Sequence, residues 1–118
     1  MSERSDRELV QQAQVGDRAA IGELFSRYWR AACAVAFGIT GETASSEDAA
    51  AEAFNDALTG IHSLRDPDRF GSWLRTIVIR KARLGLRRRH CTIAALADHL
   101  SDGNDGLDEQ WHGSKWEP

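Results

Sequence analysis

Apolar residues return every three to four positions along most of this chain, the period of a helix that buries one face. The first stretch begins at Ser5-Asp6-Arg7-Glu8, polar residues that suit a helix start, and carries Leu9, Val10 and Ala13. Gly16-Asp17 punctuates it. A second, longer stretch runs from about Arg18 to Phe37 on Ile21, Leu24/Phe25, Tyr28, Ala32 and Val35/Ala36. Gly38 is placed to end it as a C-cap, with Ile39 to Thr43 as the connection. A third helix is expected from Ser45-Ser46-Glu47-Asp48, where a serine cap and two acids suit the positive end of a helix dipole. Its apolar stripe is Ala50, Ala53/Phe54, Ala57/Leu58 and Ile61, and Glu47, Asp48, Glu52 and Asp56 fall largely on other faces.

Leu64-Arg65-Asp66-Pro67-Asp68-Arg69 reads as a loop, and Pro67 biases Asp66 away from helix. The helical period resumes at Phe70 with Trp73/Leu74 and Ile77/Val78, interleaved with Arg75, Arg80, Lys81 and Arg83. This fourth helix runs out through Arg87-Arg88-Arg89, weakened late by Gly85. Thr92 to Leu100 suits a short further helix. Ser101 to Gly106 reads as a flexible acidic linker, in a tail that also holds Trp111 and Trp116. No segment alternates convincingly as a strand. The pattern predicts an all-α fold, a compact bundle of three to four helices over residues 1–90, followed by a flexible acidic tail over 91–118.

Composition narrows the function. A chain of 118 residues suits one domain. It has neither a membrane-length apolar run nor the apolar stretch of a secretory signal at its start, so a cytoplasmic protein without membrane insertion is expected. Cys33 and Cys91 read as free thiols. His62, His90, His99 and His112 are scattered without metal-ligand spacing, so no metal site is expected. No phosphate loop or nucleophile motif occurs, and neither a cofactor nor an enzymatic activity is expected.

The net charge of −3 hides a strong asymmetry. Residues 65–90 hold nine Lys and Arg against two acids, while the rest of the chain holds six against sixteen. Such a distribution suits a polyanion-binding face on an acidic body. Plainer readings stand beside it. The acidic third helix is equally a solvated face, or a docking surface for a basic partner. Phe70 and Trp73 are core residues, or, where exposed beside arginines, stacking platforms for unpaired bases. The basic segment is harder to read as a merely solvated face, because like charges repel without an external anion.

The ordered set of motifs resembles a known family. Asp6-Arg7-Glu8-Leu9-Val10, Gly16-Asp17-Arg18-Ala19-Ala20 and Leu24-Phe25-Ser26-Arg27-Tyr28 resemble the opening of extracytoplasmic-function (ECF) sigma factors. Ser46-Glu47-Asp48-Ala49-Ala50-Ala51-Glu52-Ala53-Phe54 resembles the acidic polymerase-binding helix of sigma region 2. Phe70-Gly71-Ser72-Trp73-Leu74-Arg75-Thr76-Ile77, running into Arg87-Arg88-Arg89, resembles the helix that meets the minus-ten promoter element. The likeness covers about residues 5 to 90. It departs at Ala51, where the family usually has glutamine, and at Leu84-Gly85-Leu86, where a polar residue is usual before the arginine cluster.

The resemblance implies a transcription-initiation module. Glu47, Asp48, Glu52 and Asp56, with Phe54 supporting from the core, would bind the basic clamp helices of the largest subunit of core RNA polymerase. Arg75, Arg80, Lys81, Arg83, Arg87, Arg88 and Arg89 would contact promoter DNA. Leu64, Arg65, Asp66, Pro67, Asp68 and Arg69, with Phe70 and Trp73, would receive a flipped base of the non-template single strand. The chain ends where the linker to the family's second domain, the reader of the minus-thirty-five element, would lie. That domain is expected to be either cut away or naturally absent. Two alternatives accompany this reading: a sigma mimic that sequesters an anti-sigma factor, and a general basic helical DNA-binding protein. The opposite charges also admit an autoinhibitory tail, residues 101–118 folding over the basic helix, beside the plainer reading of a solvated linker.

Overall fold

The computed structural model describes residues 4–96 of the chain. They form four α-helices, α1 (Asp6–Gln14), α2 (Arg18–Thr40), α3 (Thr43–Gly60) and α4 (Phe70–Leu96), and two single 3₁₀ turns, Ile61–Ser63 and Pro67–Arg69. No strand occurs among the described residues, and the expected all-α class holds. No described helix is long and apolar enough to cross a membrane. The expected linker from Ser101, Trp111, Trp116 and the autoinhibitory tail lie outside the described residues.

The helix starts follow from local chemistry. Ser5 Oγ accepts the Glu8 backbone N–H at 3.1 Å, and the Glu8 carboxylate accepts the Ser5 N–H at 3.0 Å, a reciprocal capping box. Asp17 caps α2 by accepting from the backbone N–H groups of Ala19 and Ala20. Three boundaries differ from the sequence expectation. First, α2 passes through Gly38 and ends at Thr40. Ile39 is 1% exposed and Thr40 is buried, so core packing carries the helix onward. Gly41 takes the left-handed cap at φ 71°, its N–H donating to Phe37 O. Second, α3 begins at Thr43, ahead of the expected serine cap. Ser46 is buried inside the first turns, and its hydroxyl donates to Thr43 O. Third, α4 continues through Gly85 and the arginine run to Leu96, so the start of the expected separate helix, Thr92 onward, belongs to α4.

The core sits where α2, α3 and α4 pack together, and α1 lies across one end of them. Ala49, Ala50, Ala53 and Ala57 give α3 a nearly smooth inner face, which lets its neighbours come close. Leu24, Ile39, Phe70, Leu74 and Val78 fill the space between helices. Tyr28 joins the core to α1. Its ring meets Phe70 edge-on at 5.4 Å, and its hydroxyl donates to Asp6 at the start of α1. Burial, reinforced by Asp6, pushes the Tyr28 phenol well above its ordinary range. Arg27 also reaches Asp6, at 2.8 Å. Burial acts to lower its pKa, but Asp6 and Glu23 outweigh that and raise it. Asp6 therefore adds a polar tie between α1 and α2 to the apolar contacts of Leu9 and Val10.

Candidate nucleic-acid interface

The segment between α3 and α4 is held in a defined shape. Asp66 caps the second 3₁₀ turn by accepting the Asp68 backbone N–H at 3.0 Å, and the Arg69 N–H returns to Asp66 O at 2.9 Å. Pro67 is buried beneath this turn. Asp68 points away and pairs with Arg7 of α1 at 2.8 Å. The segment and the first turns of α4 enclose an open cleft of about 380 Å³ lined by Leu64, Arg65, Asp66, Arg69, Ser72, Trp73 and Thr76. That volume falls at the lower end of the usual range for small-molecule clefts.

The two aromatic residues expected at this place have separate roles. Phe70 is 1% exposed and belongs to the core, so it supports the cleft from beneath and does not line it. Trp73 is half-buried. Its six-membered ring lies over Gly60, where an added Cβ would stand 3.6 Å from it, and its centroid is 6.0 Å from that of Phe70. Gly60 thus leaves room for an indole that is packed on one side and open to the cleft on the other.

Beyond Trp73, α4 carries a basic track. Trp73, Thr76, Arg80, Arg83 and Arg87 recur three or four residues apart and share one side of the helix. The track is about 21 Å long at the rise of an α-helix. Arg80 and Arg87 are exposed and Arg83 is half-buried. Arg75 is off the track and half-buried, with its Nε buried and lacking a hydrogen-bond partner among the described residues.

Lys81, Arg88 and Arg89 face a different neighbour. They line a groove of about 210 Å³ between α3 and α4 together with Asp48 and Glu52. Lys81 Nζ lies 3.0 Å from Asp56, and Arg89 lies 3.3 Å from Glu42. Asp48, Glu52 and Asp56, spaced four apart, form an exposed acidic line along α3 beside this groove. Glu47 is exposed on the side toward α2, where it adds to burial in raising the Cys33 thiol pKa. Phe54 is 4% exposed and packs against Phe25, at 5.0 Å, and Trp29. The acidic and basic faces are therefore adjacent and share charges. Sequence spacing gave no sign of this, because both ion pairs join residues distant in the chain.

Cys33 and Cys91 are free thiols. Among the described residues, no group of three His, Cys, Asp or Glu is placed to hold a metal ion.

In comparison with known proteins, the family model for sigma-70 region 2 matches residues 24–91. No curated protein and no solved structure matches the chain. The matched span takes in most of α2, all of α3, the cleft and most of α4, and it leaves out α1.

Proposed function

This chain belongs to the sigma-70 region 2 family, and from that premise we propose that it is an ECF-type promoter-opening module. Region 2 of sigma-70 proteins is a transcription-initiation domain and not an enzyme, and its partners are core RNA polymerase and promoter DNA. In the proposed mechanism, α3 docks on the polymerase and α4 holds the non-template strand of the minus-ten element.

The observation that carries this reading is the continuity of the cleft with the basic track on one side of α4. An unstacked base enters the cleft and rests against Trp73. Its neighbouring phosphates follow Arg80, Arg83 and Arg87. These phosphate contacts position the strand without reading its sequence. Discrimination comes from the base captured in the cleft, whose extrusion costs a few kcal/mol that a fitted site can offset. No covalent step occurs in the domain. Binding energy keeps the strands apart, and the polymerase performs the chemistry.

The acidic line of Asp48, Glu52 and Asp56, with Glu47 on the neighbouring face toward α2, meets the basic clamp helices of the polymerase's largest subunit. Pairing of this kind sets orientation and association rate. Phe54 supports the helix from the core. Lys81 and Arg89, already engaged by Asp56 and Glu42, contribute less to DNA than the track does.

Trp73→Ala tests the cleft. Its affinity for a single-stranded minus-ten oligonucleotide is expected to fall about tenfold, the weight of one lost base–aromatic stack. Affinity for the duplex of the same sequence is expected to stay within about twofold, since phosphate contacts dominate there. Equal losses on both, or a wild-type chain with no strand preference, would favour a general basic DNA-binding protein.

A further inference from the structure

α1 lies outside the span that matches the family model, yet it grips the cleft-forming segment from both ends. At its C-terminal end, the Gln14 side-chain amide donates to two backbone carbonyls, Ile61 O at 2.9 Å and Leu64 O at 3.0 Å. At its N-terminal end, Arg7 pairs with Asp68 at 2.8 Å. Between them Leu9 and Val10 are fully buried, so α1 is itself fixed against the bundle. The two grips differ in weight. Arg7 and Asp68 are both well exposed, and such pairs contribute little. Gln14 is half-buried, and its two bonds fall at the point where α3 and its 3₁₀ turn give way to the cleft. Ile61 O also accepts the Leu64 N–H, so one carbonyl joins the turn to both Leu64 and α1. Leu64 and Arg65, the first residues of the cleft wall, follow directly.

We propose that Gln14 is a positioning residue for base capture: it does not touch the base, but its paired hydrogen bonds to Ile61 O and Leu64 O hold the cleft wall in its receiving shape. The inference rests on the reading of the cleft as a base site. From this position of α1 one side chain that donates twice reaches both carbonyls; Ile61 O has the Leu64 N–H as its other donor, so the bond to Leu64 O is the one that depends on Gln14. Without it, the Leu64 carbonyl loses this partner and the stretch between the buried Ile61 and Pro67 loses a tether, while the bundle stays folded.

The test uses the full chain with Gln14→Glu, which keeps the shape but has no N–H to donate, and Gln14→Met, which keeps the length and is apolar. Each is titrated with a single-stranded minus-ten oligonucleotide carrying 2-aminopurine at the unstacked position, and with plain duplex. Amide hydrogen exchange is followed at Leu64, Arg69, Leu74 and Val78. We expect both variants to lose about fivefold in single-strand affinity together with the 2-aminopurine signal, the weight of one to two hydrogen bonds. Exchange at Leu64 and Arg69 quickens about tenfold while Leu74 and Val78 in the core of α4 keep their protection, as local opening requires. A signal and affinity retained in both variants would overturn the proposal alone. So would equal loss of protection at all four amides, which would make Gln14 a residue of general stability. A wild-type chain that produces no 2-aminopurine signal would overturn the base reading, and this proposal with it.

Discussion

Phe70→Ala is expected to remove about 3–5 kcal/mol of stability, the usual cost of truncating a fully buried aromatic residue. A domain of this size has only about 5–15 kcal/mol to lose. The ring is 1% exposed, meets Tyr28 edge-on at 5.4 Å and lies 6.0 Å from Trp73. It is also the first residue of α4, so its removal opens a cavity where α2, α4 and the cleft segment converge. The melting temperature followed by circular dichroism is expected to fall by about 15 °C or more. Phe37→Ala is the control. Phe37 is 47% exposed, and its truncation is expected to cost less than about 1 kcal/mol. Similar losses in the two variants would show that the core does not depend on Phe70 in the way the packing indicates.

The second large effect is on DNA. Replacing Arg80 and Arg87 together with alanine removes two exposed guanidinium groups from one side of α4 and leaves the core untouched. Each phosphate contact to a single strand adds about 0.7 to the slope of log affinity against log salt, so the slope is expected to fall by about 1.4. Affinity at low salt is expected to fall about thirtyfold, while thermal stability stays within about 0.5 kcal/mol of wild type. Lys81→Ala separates the track from basic charge in general. Lys81 is held 3.0 Å from Asp56 in the groove beside α3, so its loss is expected to leave the slope nearly unchanged. Equal slopes for the two variants would mean that DNA responds to total charge and not to the track.

Much of this architecture is legible in the residue pattern because it is local. The Ser5–Glu8 capping box, the alanine stripe of α3 and the return of helical spacing at Phe70 each need only a few neighbouring residues to be recognised. Two of the three boundaries that differ depend on contacts between helices, and the third on local propensity. Gly38 and Gly41 are equally good helix stops by type, and burial of Ile39 and Thr40 decides between them. Ser45 and Ser46 look like caps, but Ser46 packs inward and the helix starts earlier. The arginine run looked like a helix end, yet arginine is a good helix former and α4 continues to Leu96.

The candidate site divides in the same way. The acidic line on α3 and the arginines of α4 follow from spacing. The Lys81–Asp56 and Arg89–Glu42 pairs, and the hold of Gln14 on the cleft segment, join residues that only the fold brings together. Phe70 and Trp73 both read as core candidates by type, Trp73 above all, and burial shows Phe70 in the core and Trp73 half-buried at the cleft.

In the proposed mechanism, α3 docks this domain on core RNA polymerase. The most direct test of that docking is a titration of the chain against core enzyme beside an Asp48→Arg variant. Asp48 heads the exposed acidic line, far from the buried stripe of α3, so reversing its charge leaves the core packing in place. Saturable binding by the wild-type chain is expected, weakened about tenfold or more by Asp48→Arg and sensitive to salt. Absence of wild-type binding, or binding of equal strength by the variant, would contradict that mechanism.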